Sequence, residues 1–302
     1  MLDNVLQHFI ENALDTTHLG EYNANYKRFK SHIKVGQEGF TKAAYSAYRE
    51  RSIGLGAMGF HAYLQHKNID FESIYATGFN YKCFKYIKSE ARKVSKRLAD
   101  ERGEAPDVHG SGYRNSHLLA VAPNASSSII CGGTSPSIEP FRANIFTHKT
   151  LTGNYQVKNR FLENLFKEKG LLDTEIKDLW ADILANNGSV QHQDILSDHE
   201  KNVFKTATEI NQLWIIEHAI KRQEFICQSQ SVNLFFVLPK ATENQEVHDD
   251  YMQYVNDVHW YGASKLKSLY YFRTEAARTT ENVTVKIPRI KLDEIECLAC
   301  EG

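Results

Sequence analysis

Three short apolar segments, each preceded by a helical pattern, limit the possible folds of this chain more than any other feature. Their sequences are NSHLLAVAP (115–123), QSVNLFFVLP (230–239) and SLYYFRT (268–274). Their length and apolar content are typical of buried strands. Helix and strand in repeated alternation is the order of an α/β protein with a largely parallel sheet. We therefore expect an α/β fold, and we find no internal repeat.

Apolar residues spaced three and four positions apart predict the helices of this alternating pattern. The predicted helices are Leu2–Leu14, Ala43–Gln65, a helix that ends at Arg102 before the stop signal Gly103, a helix capped by Asp173 and Thr174, a helix around Leu213 and one from Val247 to Leu266. The second of these ranges contains three glycines, which a helix tolerates at a cost in stability.

The charge balance and the apolar content exclude several classes of function. The chain has 302 residues and a formal net charge of −1, so no overall electrostatic field attracts nucleic acid or an anionic membrane. Its longest uncharged apolar runs are much shorter than a membrane span, and its N-terminus carries acidic residues where a signal peptide is basic. The odd number of cysteines, five, favours free thiols. We expect a cytoplasmic protein without a membrane or nucleic-acid partner.

The sequence GLGAMG at positions 54–59 matches the GxGxxG pattern of dinucleotide-binding turns. In such a turn a strand runs into the first glycine, and the helix that starts after the last one binds the pyrophosphate. Here the preceding residues YSAYRERS favour a helix, and the acids at positions 70 and 72 come too early to bind the ribose. We therefore expect Gly54, Gly56 and Gly59 to allow close packing of a helix. A nicotinamide-dependent oxidoreductase that uses these glycines remains an alternative.

The segment PNASSSII (123–130) directly follows the first predicted strand. A strand that ends in small and hydroxyl-bearing residues before a helix start places backbone N–H groups and serine hydroxyls around one point, which suits a phosphate group. The loop contains no lysine, so it is not a Walker motif. An ordinary helix N-cap explains the same residues equally well, and both interpretations stay open at this point.

Tyr270 and Tyr271 are adjacent in the third predicted strand. Two tyrosines in a strand are usually packing residues. A phenol can also be oxidised by one electron where its proton has an acceptor, so the pair fits a redox role as well. The residues alone do not separate these two roles.

Cys297 and Cys300 form a CxxC motif next to the C-terminus. A single CxxC is at most half of a zinc site, and the 13 histidines show no metal-ligand spacing, so we predict no metal site. On a flexible tail, however, a close dithiol can exchange with a distant disulfide, and the ten residues from Ile287 to Cys297 reach at most about 36 Å. The remaining cysteines, Cys83, Cys131 and Cys227, are expected to be small apolar fillers.

Several motifs occur together in an order that resembles one family. They are RSIGLGAMGF, RNSHLLAVAPNASSS, SIEPFR, LYY and a cysteine-containing tail. From about Arg51 to Gly302 the chain resembles the C-terminal part of the large, catalytic subunit of class I ribonucleotide reductase. The resemblance implies the second half of a ten-stranded α/β barrel with flanking helices over residues 1–285. It also implies a flexible, redox-active C-terminal tail over residues 286–302.

The resemblance further implies how the substrate is bound. Asn124, Ala125, Ser126 and Ser127 match the loop that binds the diphosphate of a ribonucleoside diphosphate. The family reduces this substrate to a deoxyribonucleotide by radical chemistry.

The resemblance assigns the other motifs to electron transfer. Tyr270 and Tyr271 match two stacked tyrosines that carry the radical in from the small subunit, with Tyr271 nearer to that subunit and Tyr270 nearer to the substrate. Cys297 and Cys300 match the tail dithiol that reduces the active-site disulfide and is itself reduced by thioredoxin or glutaredoxin. No cofactor is expected in this chain, because the tyrosyl radical or metal centre belongs to the small subunit.

One departure from the family pattern changes the expected activity. The family forms a thiyl radical on a cysteine within an Asn-x-Cys-x-Glu pattern and draws electrons from two further cysteines, and this sequence contains none of the three. We expect the C-terminal chain of a large subunit encoded as two chains, inactive until it joins an N-terminal chain that carries the thiyl cysteine. A truncated piece of an ordinary subunit has the same local chemistry, and a non-catalytic assembly module is a further alternative.

Overall fold

The computed structural model describes residues 1–13, 34, 36, 38–150, 153–240 and 243–276. Within these ranges the helices are α1 (Leu2–Ala13), α2 (Thr41–Glu50), α3 (Phe60–His66), α4 (Ile74–Arg102), α5 (Ala125–Ile130), α6 (Arg160–Glu168), α7 (Asp173–Ala185), α8 (Asp198–Val203), α9 (Gln212–Gln223) and α10 (Gln245–Lys265). The strands are β1 (Ile145–Thr150), β2 (Gly153–Lys158), β3 (Leu234–Leu238) and β4 (Phe272–Ala276). No helix of the described residues has the length and the apolar character that a membrane span requires.

A parallel sheet organises the part of the chain that carries the candidate site. β3 and β4 pair in parallel. Single parallel bridges extend this pairing, because Val121 pairs with Gln230 and Leu55 pairs with Leu119. Four parallel segments therefore lie side by side in the order 53–55, 117–121, 228–238 and 270–276. This arrangement confirms the predicted parallel sheet, although the segment 115–123 forms isolated bridges and not a continuous strand.

The structure also contains a hairpin that the sequence patterns did not predict. β1 and β2 pair antiparallel, with Ile145 opposite Lys158, and most side chains of β2 are exposed. An exposed hairpin lacks the apolar signal by which a buried strand is recognised.

Most helix predictions are confirmed to within a few residues. α1 begins at Leu2, α4 ends at Arg102 with Gly103 in the left-handed region at φ 81°, and α10 spans Gln245–Lys265. α7 differs in its cap. The N-cap residue is Leu172, and its N–H donates to the Glu175 carboxylate at 2.7 Å.

The predicted helix Ala43–Gln65 is wrong in its central part. α2 ends at Glu50, residues 51–59 form no helix, and α3 begins at Phe60 directly after Gly59. This stretch forms an outer segment of the parallel sheet through the pairing of Leu55 with Leu119. Pairing with a distant segment therefore overrides the local helical preference of these residues.

The largest hydrophobic cluster lies where α9 and α10 pack beside β3. Its buried members include Ile216 of α9, Phe235 and Phe236 of β3 and Val258 of α10. Phe236 stacks on Phe272 of β4 with ring centroids 4.7 Å apart. Each large apolar side chain that is fully buried contributes about 1.5–3 kcal/mol. The cluster thus fixes β3 and β4, and with them the residues that precede β4.

Two histidines of the described residues are completely buried here, and the rings of both contact Phe71. Both His61 and His218 are 0% exposed. His61 Nδ1 accepts a hydrogen bond from the Phe141 N–H at 2.9 Å, and His218 Nε2 donates to the Phe71 carbonyl at 2.8 Å. Burial lowers the pKa of His61 to about 3 and the pKa of His218 to about 4. Both rings are therefore neutral in the folded chain at neutral pH.

Candidate functional site

A groove of about 390 Å³ crosses three neighbouring segments of the parallel sheet. It is lined by residues 120–123, by residues 228–231, and by Ser268 and Tyr270. Residues 120–123 lead directly into the predicted phosphate loop. Tyr270 therefore lines the same groove as Ala122 and Pro123, which directly precede the predicted loop, whereas residues 124–127 and Tyr271 are not part of the lining.

The predicted phosphate loop forms a sharp turn into α5. Asn124 adopts a left-handed backbone conformation with φ 51° and ψ 32°, and α5 begins at Ala125. The Asn124 side chain makes no capping hydrogen bond, so the ordinary N-cap interpretation of this segment is not supported. Ser126 and Ser127 are exposed.

The hydrogen bonds of this turn leave donors available at the start of α5. The Ser128 hydroxyl is buried and donates to the Ala125 carbonyl at 2.8 Å, and the Ser127 hydroxyl donates to the Asn124 carbonyl at 3.4 Å. Within the described ranges, the N–H groups of residues 125–127 have no protein acceptor. An anion placed here can meet these three N–H groups and the Ser126 hydroxyl.

Tyr270 and Tyr271 form a close pair on the surface of the sheet. Their ring centroids are 4.1 Å apart with an interplanar angle of 52°. Tyr270 is 47% exposed and Tyr271 is 48% exposed, so neither ring is a core packing residue. Interaction with the Tyr271 hydroxyl, by hydrogen bonding and by charge, raises the pKa of Tyr270. The Arg273 guanidinium lies 5.2 Å from the ring centroid of Tyr271.

The GxGxxG segment does not have the free N–H donors that a dinucleotide needs. A helix does start after its last glycine, but the N–H groups of Gly59 and Phe60 donate to the carbonyls of Ser135 and Ser137, at 3.0 and 3.2 Å. The Ala62 N–H donates to the Ser135 hydroxyl at 3.0 Å. The chain's own loop thus occupies the position of a pyrophosphate, which argues against the nicotinamide alternative.

The glycines of this segment allow close packing, as expected, but in an extended segment and not in a helix. A Cβ atom on Gly56 would lie 2.7 Å from the Ala120 carbonyl oxygen, and one on Gly54 would lie 3.0 Å from the Ala120 Cβ. Gly59 has φ 83°, and a Cβ there would lie 2.6 Å from the Thr134 hydroxyl. The glycines therefore allow close contact, Gly54 and Gly56 with the neighbouring segment at Ala120 and Gly59 with Thr134.

The cysteines need one correction. Cys131 and Cys227 are exposed and Cys83 is partly buried, so the first two are not apolar fillers. Cys297 and Cys300, and the predicted boundary between residues 285 and 286, lie outside the described residues. Within the described part of the chain, no group of three or more His, Cys, Asp and Glu side chains is arranged to hold a metal ion.

Two polar residues of this region were not identified from the sequence. Glu139, in the SIEPFR loop, is only 8% exposed, and burial raises its pKa to about 7 although Asn233 and the charges of Arg273 and Arg142 lower it. Asn233 is 1% exposed and donates to Glu139. A single acid in the otherwise uncharged run GGTSPSIEP is the sequence signal that points to Glu139.

Comparison with known proteins connects most of the chain to one family. The profile of the family described as "Ribonucleotide reductase, barrel domain" matches residues 4–111 and 105–272. The ribonucleoside-diphosphate reductase large subunit of Invertebrate iridescent virus 3 is 41% identical over 309 residues, which cover 100% of this chain and 43% of that protein. A putative large subunit of Frog virus 3 is also 41% identical and covers 100% of this chain and 47% of the relative.

A solved structure shows the same fold. The alpha subunit of the class Id ribonucleotide reductase of Actinobacillus ureae superposes with a TM-score of 0.70 at 37% identity, over 90% of this chain and 44% of that one. The fold is therefore of the α/β barrel type. The chain spans less than half the length of each of these relatives.

Proposed function

This chain belongs to the family of ribonucleotide reductase large subunits, and on that premise we propose that it supplies the second half of a ten-stranded catalytic barrel in a ribonucleoside-diphosphate reductase. One observation carries the proposal: Tyr270 lines the same groove as Ala122 and Pro123, the residues directly before the phosphate loop. A nucleotide whose diphosphate lies on the loop can therefore place its ribose near Tyr270.

In this proposal the loop at the start of α5 binds the substrate diphosphate. The N–H groups of Ala125, Ser126 and Ser127 and the exposed serine hydroxyls donate to phosphate oxygens. Hydrogen bonds from neutral donors to an anion are stronger than those between neutral groups, and the helix start adds a favourable dipole. The left-handed turn at Asn124 supports this role, because it starts α5 directly after Pro123, the last residue of this segment that lines the groove.

The tyrosine pair relays a radical by transfer of hydrogen atoms, each an electron together with a proton. Tyr271 gives its hydroxyl hydrogen atom to the oxidised centre of the small subunit. Tyr270 then gives its hydroxyl hydrogen atom to the Tyr271 radical, which restores the Tyr271 phenol. The Tyr270 radical takes a hydrogen atom from a cysteine thiol in the remainder of the barrel. The contact between the two phenols supports the middle step, because Tyr270 keeps its proton while it interacts with Tyr271.

The reaction requires residues that this sequence does not contain. The thiyl cysteine and the two cysteines that supply electrons must come from the remainder of the barrel, whether on the same polypeptide or on another. The small subunit and a ribonucleoside diphosphate are the other proposed partners.

The radical relay is tested in a reductase assembled from this chain, the remainder of the Invertebrate iridescent virus 3 large subunit and a small subunit. We expect Tyr270→Phe and Tyr271→Phe each to reduce turnover to background, because phenylalanine keeps the ring and lacks the transferable hydrogen. Both hydroxyls lie on half-exposed side chains, so the free energy of unfolding should change by less than about 1 kcal/mol.

Tyr75→Phe is the matched control, because Tyr75 is 74% exposed on α4 and lies outside the groove. It should leave turnover unchanged. Normal turnover with either Tyr270→Phe or Tyr271→Phe would contradict the relay and favour the non-catalytic assembly module.

The tail dithiol is proposed to re-reduce the active site after each turnover. Replacement of both Cys297 and Cys300 by serine should leave the first turnover intact and stop later ones when thioredoxin or glutaredoxin is the reductant. Rapid-quench measurement of product per enzyme distinguishes the first turnover from the rest. Cys131→Ser, a change at an exposed cysteine, should sustain normal multiple turnover, and sustained turnover by the double tail variant would remove the tail from the mechanism.

A further inference from the structure

The chain contains one extra residue at the position where it carries the two tyrosines. In a regular parallel ladder, one residue makes two hydrogen bonds to the neighbouring strand. Its N–H donates to the residue before the one opposite it, and its carbonyl accepts from the residue after the one opposite it. Opposite Asn233, these two hydrogen bonds are made by two different residues, Tyr270 and Tyr271. The Tyr270 N–H donates to the Val232 carbonyl at 3.0 Å, and the Tyr271 carbonyl accepts from the Leu234 N–H at 3.0 Å. Two residues opposite one constitute a β-bulge.

The bulge explains why the rings of two consecutive residues lie in contact. Successive side chains of a regular strand point to opposite faces of the sheet. The centroids of the Tyr270 and Tyr271 rings are nevertheless 4.1 Å apart. A bulge re-aims side chains in this way and often lies beside an active site. The contact between the two rings therefore depends on the bulge.

The N–H group that the bulge leaves outside the ladder is satisfied by a side chain. The Tyr271 N–H donates to Asn233 Oδ1 at 3.1 Å. The Asn233 Nδ2 in turn donates to Glu139 Oε1 at 2.5 Å. Asn233 is 1% exposed and Glu139 is 8% exposed, so water competes little for these bonds. We call Asn233 and Glu139 together the bulge clamp.

The hydrogen bonds of the bulge clamp determine which end of the Asn233 amide faces Glu139. The Asn233 NH₂ group donates to Glu139 Oε1, and the amide oxygen accepts from the Tyr271 N–H. The ionised form of Glu139 only accepts hydrogen bonds and so favours this orientation of the amide. Arg142 and Arg273 are the cations whose charges act on Glu139, and Arg273 also lies over the ring of Tyr271.

We propose that Asn233 and Glu139 are positioning residues, which hold the β-bulge and thereby the close contact of the Tyr270 and Tyr271 rings. The role of this ring pair in radical transfer rests on the proposed function, whereas the control of its geometry by the clamp does not. Neither residue touches the substrate groove directly, since the groove is lined by Tyr270 and by residues up to 231 of the neighbouring segment.

The first experiment measures the pair in the full chain and needs no enzymatic activity. Fluorotyrosine at position 270 reports the phenol pKa by ¹⁹F NMR, and this pKa is raised by contact with Tyr271. Asn233→Leu removes the acceptor at similar size, and Glu139→Ala frees the amide to turn. We expect both changes to lower the pKa at position 270 toward that of free fluorotyrosine. Glu139→Gln keeps an acceptor oxygen and should preserve the raised value.

Glu139→Ala lies in a loop outside the strands, so it serves as the second test if Asn233→Leu does not fold. Circular dichroism and the cooperativity of unfolding show whether each variant is folded. An unchanged pKa at position 270 in the folded variants would overturn the inference.

The second experiment measures turnover of the assembled reductase with the same variants. A misplacement of about 1 Å can reduce a reaction by about 10²-fold, so we expect a loss of that order for Asn233→Leu and Glu139→Ala and near-normal turnover for Glu139→Gln. If the pair loses its contact and turnover stays normal, the clamp stands and the radical relay of the proposed function fails. If the pair keeps its contact and turnover falls, the clamp is refuted and the relay is not.

Discussion

The two buried histidines make stability depend on pH in a way that single substitutions can test. Their folded pKa values, about 3 for His61 and about 4 for His218, lie below the value of about 6.5 expected in the unfolded chain. Above pH 6.5 both states are neutral and the histidines add no pH dependence. As the pH falls from 6.5 toward 4, only the unfolded chain takes up protons, so the folded state loses about 1.4 kcal/mol per pH unit for each histidine.

We expect His218→Gln, which keeps a hydrogen-bond donor, to halve this slope in urea unfolding curves between pH 6.5 and 4.5. His117→Gln, at an exposed histidine, should not change it. Glu139 acts in the opposite direction, because its raised pKa favours the folded state at low pH. The comparison therefore uses the difference between variant and wild type, and equal slopes for His218→Gln and wild type would show that His218 is not the responsible group.

Some side chains of the candidate site could be predicted from the sequence, and others could not. Ser126, Ser127 and the two tyrosines could be predicted because they stand next to apolar segments with a clear strand pattern. Asn233 and Glu139 could not, because the hydrogen bond between them joins residues 94 positions apart and no local period marks it. The bulge is invisible for the same reason: it is defined by which backbone groups face each other, and the apolar pattern of SLYYFRT does not contain that information.

Helices and strands were predicted best where one face is buried and the opposite face is exposed to solvent. α4 and α10 satisfy this condition: the predicted C-terminal end of α4 is correct, and both predicted ends of α10 are correct to within two residues. The break between α2 and α3 was missed, since the charged residues before Gly54 favour a helix locally. The left-handed Arg51, with φ 47°, ends α2, and the pairing with the segment around Leu119 then stabilises an extended chain.

Substitutions at two glycines distinguish the effect of local helix preference from the effect of pairing with a distant segment. Gly56→Ala places a Cβ atom 2.7 Å from the Ala120 carbonyl oxygen, so the extended segment must shift, and we expect a destabilisation of about 1–3 kcal/mol. Gly78→Ala is the matched control inside α4, where a Cβ meets no atom within 4 Å. It should stabilise the chain by up to about 1 kcal/mol, because alanine is the better helix former. Urea unfolding measures both, and a Gly56→Ala variant as stable as Gly78→Ala would show that the close approach is not required.

At the scale of the whole molecule, the four parallel segments of the described residues form an open sheet. An α/β fold with a parallel sheet was predictable from the alternation of helix and strand patterns, but closure into a barrel was not, because the parallel segments of the described residues form no closed ring by themselves. The predicted ten-stranded ring enters only through the resemblance. A physical consequence remains: in the order 53–55, 117–121, 228–238, 270–276, β4 has a neighbour on one side only within the described residues.

This open edge gives the most direct test of barrel closure. The Tyr271 carbonyl faces β3, so the alternation of a strand turns the N–H groups of Phe272 and Thr274 away from β3. These two amides should exchange rapidly with deuterium in the chain alone. Addition of the remainder of the Invertebrate iridescent virus 3 large subunit should slow them, because closure of the barrel supplies a partner for the edge. The Leu234 N–H, which already donates to the Tyr271 carbonyl, should change much less. Unchanged exchange at Phe272 and Thr274 in a mixture that nevertheless reduces nucleotides would show that the two parts meet without pairing at β4, and the proposed ten-stranded ring would then be wrong for the assembled chains.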